Sequence, residues 1–330
     1  MENIFLYEKE VSKDLFPLTL TRPVADIRIG ILTIYEKWTL TSGRKVSVVD
    51  DLANVPSNGT VVPSNTLPGL NDVVRYPWDI FRLNDSSIRA DFSLITKGRR
   101  SQQISSSVQT VHPENIFIEE GAQLSHCIIN AQAGPVYIGK NGVIMEGSLL
   151  RGPVAVLDHA TVKMGTKIYG ATTVGPHSIV GGEIKNSVIF GYSNKAHDGY
   201  LGDSVVGEWC NLGAGTSNSN VKNNASEVRM WSETAQQAID SGLTKCGLIM
   251  GDYSRSAINT SFNTGTMVGV CANVFGEGEM PKYFPSFSWG KKGERYDLEK
   301  ALNDIDKWKK LKGQRLTEKE KTTLKLIFGQ

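Results

Sequence analysis

A mainly β fold, stacked in six-residue rungs between a small α/β unit and C-terminal helices, is predicted for this 330-residue chain on three observations. Ile138, Ile144, Leu150, Val156, Val162, Ile168, Val174 and Val180 stand six apart without a miss. A helix does not repeat at six. A short extended segment plus a tight corner does, with the aliphatic side chain pointing into a stacked coil. Glycine follows several of these positions, as in Ile138-Gly139 and Val174-Gly175. The two ends of the chain lack the period and read as different kinds of structure.

The segment 1–107 reads as a reduced α/β domain. Asn3–Tyr7 and Lys45–Val49 have the composition of short strands bounded by charged and turn residues. Pro23 opens a helical pattern through Ile27, Ile31, Ile34, Tyr35 and Trp38. A second helix is expected over Asp79–Ile95, weakened by Asp85-Ser86-Ser87, and the polar run Lys97–Ser107 reads as a linker. The solenoid is expected over 108–280. Its phase slips at Gly181–Ser187 and resumes at Val188, Asn194, Tyr200, Val206 and Leu212. An insert near Ser232–Cys246 breaks it again before Met250, Ser256, Phe262, Val268 and Val274. Such inserts are loops thrown from one edge, where binding sites are commonly built. From 281 to 330 the chain passes into charged helices with apolar stripes at Leu298, Leu302, Ile305, Trp308 and Leu311, then at Leu324, Ile327 and Phe328.

Composition narrows the function. The net charge of +2 offers neither nucleic acid nor an anionic membrane an electrostatic partner. The four cysteines never approach a C-x-x-C spacing, which fits reduced thiols in a cytoplasm. The opening MENIFLYEKEVSKD lacks the layout of a signal peptide, and a cytoplasmic location is expected. The five histidines show no H-x4-H pair, so a zinc β-helix enzyme is set aside and no metal site is expected.

Chemistry-bearing residues gather at 194–220. His197 stands three residues before Tyr200, with Asn211, the turn Gly213-Ala214-Gly215-Thr216 and Asn220 following. A histidine titrating near neutrality suits removal of a proton from an attacking nucleophile, and a glycine corner allows close backbone approach. Arg22, Asp26 and Arg28 form either a phosphate and metal cluster or a salt-bridged helix start.

Two stretches carry a resemblance. HDGYLGDSVVGEWCNLGAGT is similar to the acyltransferase domain of the bifunctional enzymes that make UDP-N-acetylglucosamine, glucosamine-1-phosphate N-acetyltransferases fused to an N-acetylglucosamine-1-phosphate uridyltransferase. FPLTLTRPVADIRIGILTIYEKW, Phe16 to Trp38, resembles the opening of a Bacteroidetes-type branch. The resemblance implies a left-handed parallel β-helix, assembly as a homotrimer, and acetyl-CoA bound between subunits. It implies His197 as general base in N-acetylation of a hexosamine 1-phosphate. Lys163, Lys185, Tyr200, Asn211 and Asn220 would hold the sugar phosphate, and Gly213, Ala214 and Gly215 would lie beside the coenzyme.

The first domain departs from the nucleotidyltransferase pattern G-x-G-T-R-L-x-P-L-T. Only Leu15-Phe16-Pro17-Leu18-Thr19 survives, and Asp14 stands where an arginine belongs. A sugar-1-phosphate nucleotidyltransferase needing Mg2+, with the β-helix as trimerisation scaffold, is the alternative. A non-catalytic sugar-nucleotide-binding or assembly protein is the third reading.

Overall fold

The computed structural model describes residues 3–70 and 72–329. Among these residues, three sheets of nine, ten and six strands form the faces of a prism, all parallel except for one antiparallel pair, Ser288–Trp289 with Glu294–Arg295, at the end of the ten-stranded sheet. Ile138 pairs with Val156 and Val156 with Val174, eighteen residues per coil, so the hexad aliphatics stack in columns. They fill one continuous core from Ile116 to Phe284. The parallel solenoid expected from the period is the fold.

The phase after Val180 differs from the expectation by one residue. Val174 pairs with Ile189, a coil of only fifteen, and Ile189 with Val206, a coil of seventeen. Ile184, Ile189, Lys195, Leu201, Val206 and Leu212 therefore point inward, in place of Val188, Asn194 and Tyr200. A compressed corner at Gly181–Gly182 removes two of the three missing residues, and the corner between Ile184 and Ile189 removes the third. An added Cβ there would strike Ala196 O at 2.7 Å and His197 O at 2.8 Å. The insert also starts earlier than expected. The chain leaves the stack after Asn218 and rejoins at Leu248, with a hairpin of Arg229–Ser232 and Gln237–Asp240 between. The third stretch holds its phase, Met250, Ser256, Phe262, Val268 and Val274 all being buried.

The N-terminal unit is a three-stranded parallel sheet, β1 (Ile4–Tyr7), β2 (Val46–Val49) and β3 (Thr60–Pro63), in the order β2-β1-β3. Its helix α1 spans Ile34–Ser42, starting eleven residues later than the Pro23 signal suggests. Gly30, at φ 75°, ends any continuous helix, and Thr33 with Glu36 forms a capping box that sets the true start. Ile27 and Ile31 are buried from extended chain instead. The expected second helix forms as α2 (Asp79–Arg82) and α3 (Asn84–Thr96). Residues 97–107 form no helix or strand.

This unit lies flat on one face of the prism. Leu15, Phe16, Leu18 and Trp78 pack with outward Val188, Val205, Ile249 and Met267 and with Met230 of the hairpin. Asn84 Nδ2 donates to Ala171 O at 2.6 Å, and Thr173 Oγ1 donates to Gly30 O at 3.0 Å. The second face is covered in its upper half by α4 (Leu298–Lys310) and α5 (Glu318–Phe328), which bury Leu302, Ile305, Leu324 and Ile327. Leu311, expected in the apolar stripe, is 76% exposed beyond the end of α4. Along the corner between these two faces His159, His177, Tyr192 and Trp209 stack at 4.3–4.7 Å, close to the rung spacing. The third face, with strands Gln109–Val111 to Tyr200–Gly202, has nothing docked on it among the described residues.

Candidate functional site

His197 sits on the corner between the open face and the helix-covered face. It follows strand Asn194–Lys195 and precedes Tyr200–Gly202, and its side chain is exposed. Glycines fix this corner from both sides. Below it, Gly181 and Gly182 let the 196–199 backbone settle into contact. Above it, Gly199 is within 2.1 Å of Thr216 O measured from where a Cβ would stand. No side chain larger than hydrogen fits those places, so the backbone carrying the imidazole is held tightly while the ring remains free.

The polar groups around it divide between the two faces. On the open face, Lys167, Glu183 and Tyr200 form one outward column and Arg151, Tyr169, Lys185 and Gly202 another. Tyr200 Oη accepts from Asn220 Nδ2 at 3.1 Å, and the same amide donates to Asp203 Oδ2. Asn186 Nδ2 donates to Asp203 Oδ1 at 2.6 Å, so buried Asp203 ties two coils and the insert together. Tyr169 Oη donates to Glu183 at 2.6 Å, and Lys185 Nζ lies 6.0 Å from the Tyr169 ring centroid. Burial, then the Asp203 charge, pushes the Tyr200 phenol up to about 12. Its bond to Glu183, then burial, takes Tyr169 up to about 12 as well. Both phenols are protonated donors at neutral pH.

The other sequence-derived residues lie at varying distance from this corner. Asn220 and Tyr200 are brought together, and Lys185 shares their face. Asn211 faces the other way, in register with Asn194 and Arg255 on the helix-covered face. Lys163 occupies the same prism corner two rungs below Ala196. Gly213 and Gly215 make room for the next coil, since a Cβ on Gly213 would meet Ala257 O at 2.5 Å and one on Gly215 would meet Asn259 Oδ1 at 2.1 Å. The Ala214 carbonyl accepts from Asn259 N at 2.7 Å, while its N–H has no protein acceptor among the described residues.

Arg22 lies far from any such site. Its guanidinium pairs with Asp252 and with Glu208 at 3.3 Å, and stacks on Phe190 at 5.0 Å. Burial lowers its pKa, but the two carboxylates outweigh that and hold it above the ordinary value. Arg28 is engaged by Glu36 at 3.5 Å and by the Ile31 carbonyl; Asp26 is exposed. The arginines are thus committed to ion pairs, and Arg22 clamps the N-terminal unit to the solenoid rather than starting a helix.

Sequence reasoning missed Lys167, Asp203 and Lys195. Asp203 was legible as the end of the Y-L-G-D run, but its bond to Asn220 crosses the insert. Lys195 was hidden by the phase slip. It points into the core between Val180 and Leu212, 1% exposed, and burial pushes its amine down to about 8. No group of three or more His, Cys, Asp or Glu side chains able to hold a metal ion occurs among the described residues.

Comparison with known proteins bears on the whole chain. A family model described as "Sugar nucleotidyl transferase" matches residues 4–51, the β1-α1-β2 unit. The bifunctional sugar-1-phosphate nucleotidylyltransferase/acetyltransferase of Sulfurisphaera tokodaii is 28% identical over 51% of this chain and 47% of its own. Two proteins named bifunctional protein GlmU are similar: that of Methanocaldococcus jannaschii at 31% over 60% of this chain and 42% of its own, and that of Methanococcus maripaludis strain S2 at 25% over 81% and 58%. Over the matched parts the chain is similar to GlmU-type bifunctional nucleotidylyltransferase/acetyltransferases.

The chain spans about half the length of the curated relatives it matches. A solved structure, a mutant GDP-perosamine N-acetyl transferase from Caulobacter crescentus in complex with CoA and GDP-perosamine, aligns with 82% of this chain and 94% of its own. At 10% identity and a TM-score of 0.16 it carries no argument about the fold.

Proposed function

We propose that this protein is an acetyl-CoA-dependent N-acetyltransferase acting on a hexosamine 1-phosphate, with glucosamine 1-phosphate the first candidate. One observation carries the reading: the exposed His197 imidazole stands on a corner fixed by glycines, beside a face carrying phenols, an amide and cations. His197 takes a proton from the neutral amine as the sugar nitrogen bonds to the thioester carbonyl carbon, and the C–S bond then breaks to release CoA as the thiol. Tyr200 and Asn220 hold hydroxyls, Lys185 and Lys167 attract the phosphate, and Lys163 extends the positive edge. Lysine serves a phosphate as a point charge without bidentate geometry.

Acetyl-CoA supplies an activated thioester carbonyl when bound. The open Ala214 N–H suits a coenzyme amide or the developing oxyanion. Exposed Met164 and Ile258 line the same edge below and above His197 and offer it an apolar flank. Val111, Ile128 and Leu149, also exposed, occupy the lower open face and support assembly of this face against further copies in a homotrimer. The relatives named as nucleotidylyltransferase/acetyltransferases support the acyl-transfer reading.

Nucleotidyl transfer by the first domain is not proposed. Leu15, Phe16 and Leu18, the surviving tail of the phosphate-cradling pattern, are core residues, and Asp14 accepts from Thr234 of the insert at 2.7 Å. The test is thiol release from acetyl-CoA with glucosamine 1-phosphate. Turnover lost in His197→Ala supports the reading; no turnover with any amino-sugar phosphate refutes it.

A further inference from the structure

A lysine occupies a place in the core that the repeat reserves for an aliphatic side chain. Val180 one coil below and Leu212 one coil above fill the same column as Lys195. The ammonium has no carboxylate within ion-pairing distance among the described residues. It donates to the His197 carbonyl and, at 3.4 Å, to the Gly181 carbonyl. Asp198, exposed on the same corner, contributes an opposing charge. Enclosing a cation where a leucine packs disfavours folding. A residue that breaks the local rule at such a position is expected where function requires it.

We infer that Lys195 is a positioning residue: its ammonium draws the His197 carbonyl inward and so fixes the direction in which the imidazole leaves the corner. The carbonyls of Gly181 and His197 belong to successive coils, so one side chain clamps the compressed glycine corner to the histidine corner above it. A hydrophobic residue would fill the space as well but leave both carbonyls without this donor. The catalytic consequence rests on the reading of His197 as the base; the clamp itself does not.

The test compares wild type with Lys195→Met and Lys195→Gln. Three amides donate to carbonyls on the histidine corner: Gly181 N to Lys195 O, Glu183 N to Gly199 O and Gly215 N to Asp198 O. In Lys195→Met their hydrogen exchange rises about tenfold, the scale of one charge-assisted bond. Gly139 N, three coils below the histidine corner and bonded to Val156 O, stays unchanged. The denaturation midpoint holds or rises, kcat for acetyl transfer falls about tenfold, and both KM values stay within about twofold, as for loss of alignment alone. Lys195→Gln, which keeps an N–H donor without the charge, recovers part of the exchange protection and of kcat.

Wild-type exchange at all three amides in Lys195→Met overturns the inference. So does a lowered midpoint with faster exchange throughout, which makes the lysine a support of the whole fold. If the wild type acetylates no amino-sugar phosphate, the acyltransferase reading falls separately, and exchange and stability alone decide the role of Lys195.

Discussion

Replacing Arg22 separates the two readings of the T-R-P-V-A-D-I-R stretch. Its side chain is 10% exposed and its partner Asp252 only 3%, so the pair is closed off from water. Asp252 also accepts from Glu208 N at 2.8 Å and from Thr21 Oγ1 at 2.7 Å. Arg22→Met leaves that carboxylate buried with two neutral donors and no cation. Breaking a buried pair from one side destabilises by about 3–5 kcal/mol. In a chain of this size that lowers the melting temperature by roughly 4–7 °C. Asp252→Asn in the Arg22→Met background removes the stranded charge and returns about half of the loss. Thermal and urea unfolding of the single and double variants provide the measurement. A single variant as stable as wild type, or a double variant no better than the single, refutes the clamp. Loss of nucleoside triphosphate binding at unchanged stability would instead make Arg22 a phosphate ligand.

Three further outcomes are expected. His197→Ala removes an exposed ring, so its unfolding midpoint matches wild type while acetyl transfer falls about a hundredfold or more. Tyr200→Phe deletes the acceptor of the 3.1 Å bond from Asn220, raising KM for the sugar phosphate more than it lowers kcat and lowering stability by about 1 kcal/mol. Lys195 and Lys312, each pushed down to about 8 by burial, add to stability between about pH 8 and 10, because they shed protons in the fold while the unfolded chain keeps them to about 10.4. The thiols of Cys127, Cys210, Cys246 and Cys271, all pushed up by burial, act against this once unfolded thiols ionise above about 8.5, so the lysine share is read as the difference between wild type and Lys195→Met. Lys195→Met removes its share, about 3 kcal/mol at full titration. Above about pH 10 the phenols of Tyr169 and Tyr200 add to the loss of stability, since they ionise in the unfolded chain before they do in the fold. Equilibrium unfolding across pH 7–11 checks both limbs.

The solenoid was legible because each rung must bury one aliphatic residue, and eight in phase leave little other reading. The polar cluster stood out for the opposite reason: His197, Tyr200 and Asn220 are polar groups in a stretch that otherwise follows the repeat, but the sequence did not show that Asn211 faces the other way. Periodicity could not show how a coil shortens. The slip at Gly181–Ser187 is visible in the pattern, but two adjacent glycines leave open where the phase resumes, and it resumes at Ile189 in place of Val188. That displacement exchanged Asn194 for Lys195 as the inward side chain. In the first domain, a proline and a run of isoleucines outweighed the short capping box at Thr33 and Glu36, although the capping box marks the actual helix start. The partner of Arg22 lies 230 residues away, and no local pattern announces it.

The claim on which the rest depends is that His197 takes a proton from a sugar amine at the open corner. The most direct measurement is the rate of thiol release from acetyl-CoA by wild type and by His197→Ala with glucosamine 1-phosphate, alongside mass analysis of the sugar. The account predicts an N-acetylated sugar phosphate in wild type and near-complete loss in the variant. Equal rates in the two proteins, or an acetyl group found on oxygen, contradict it.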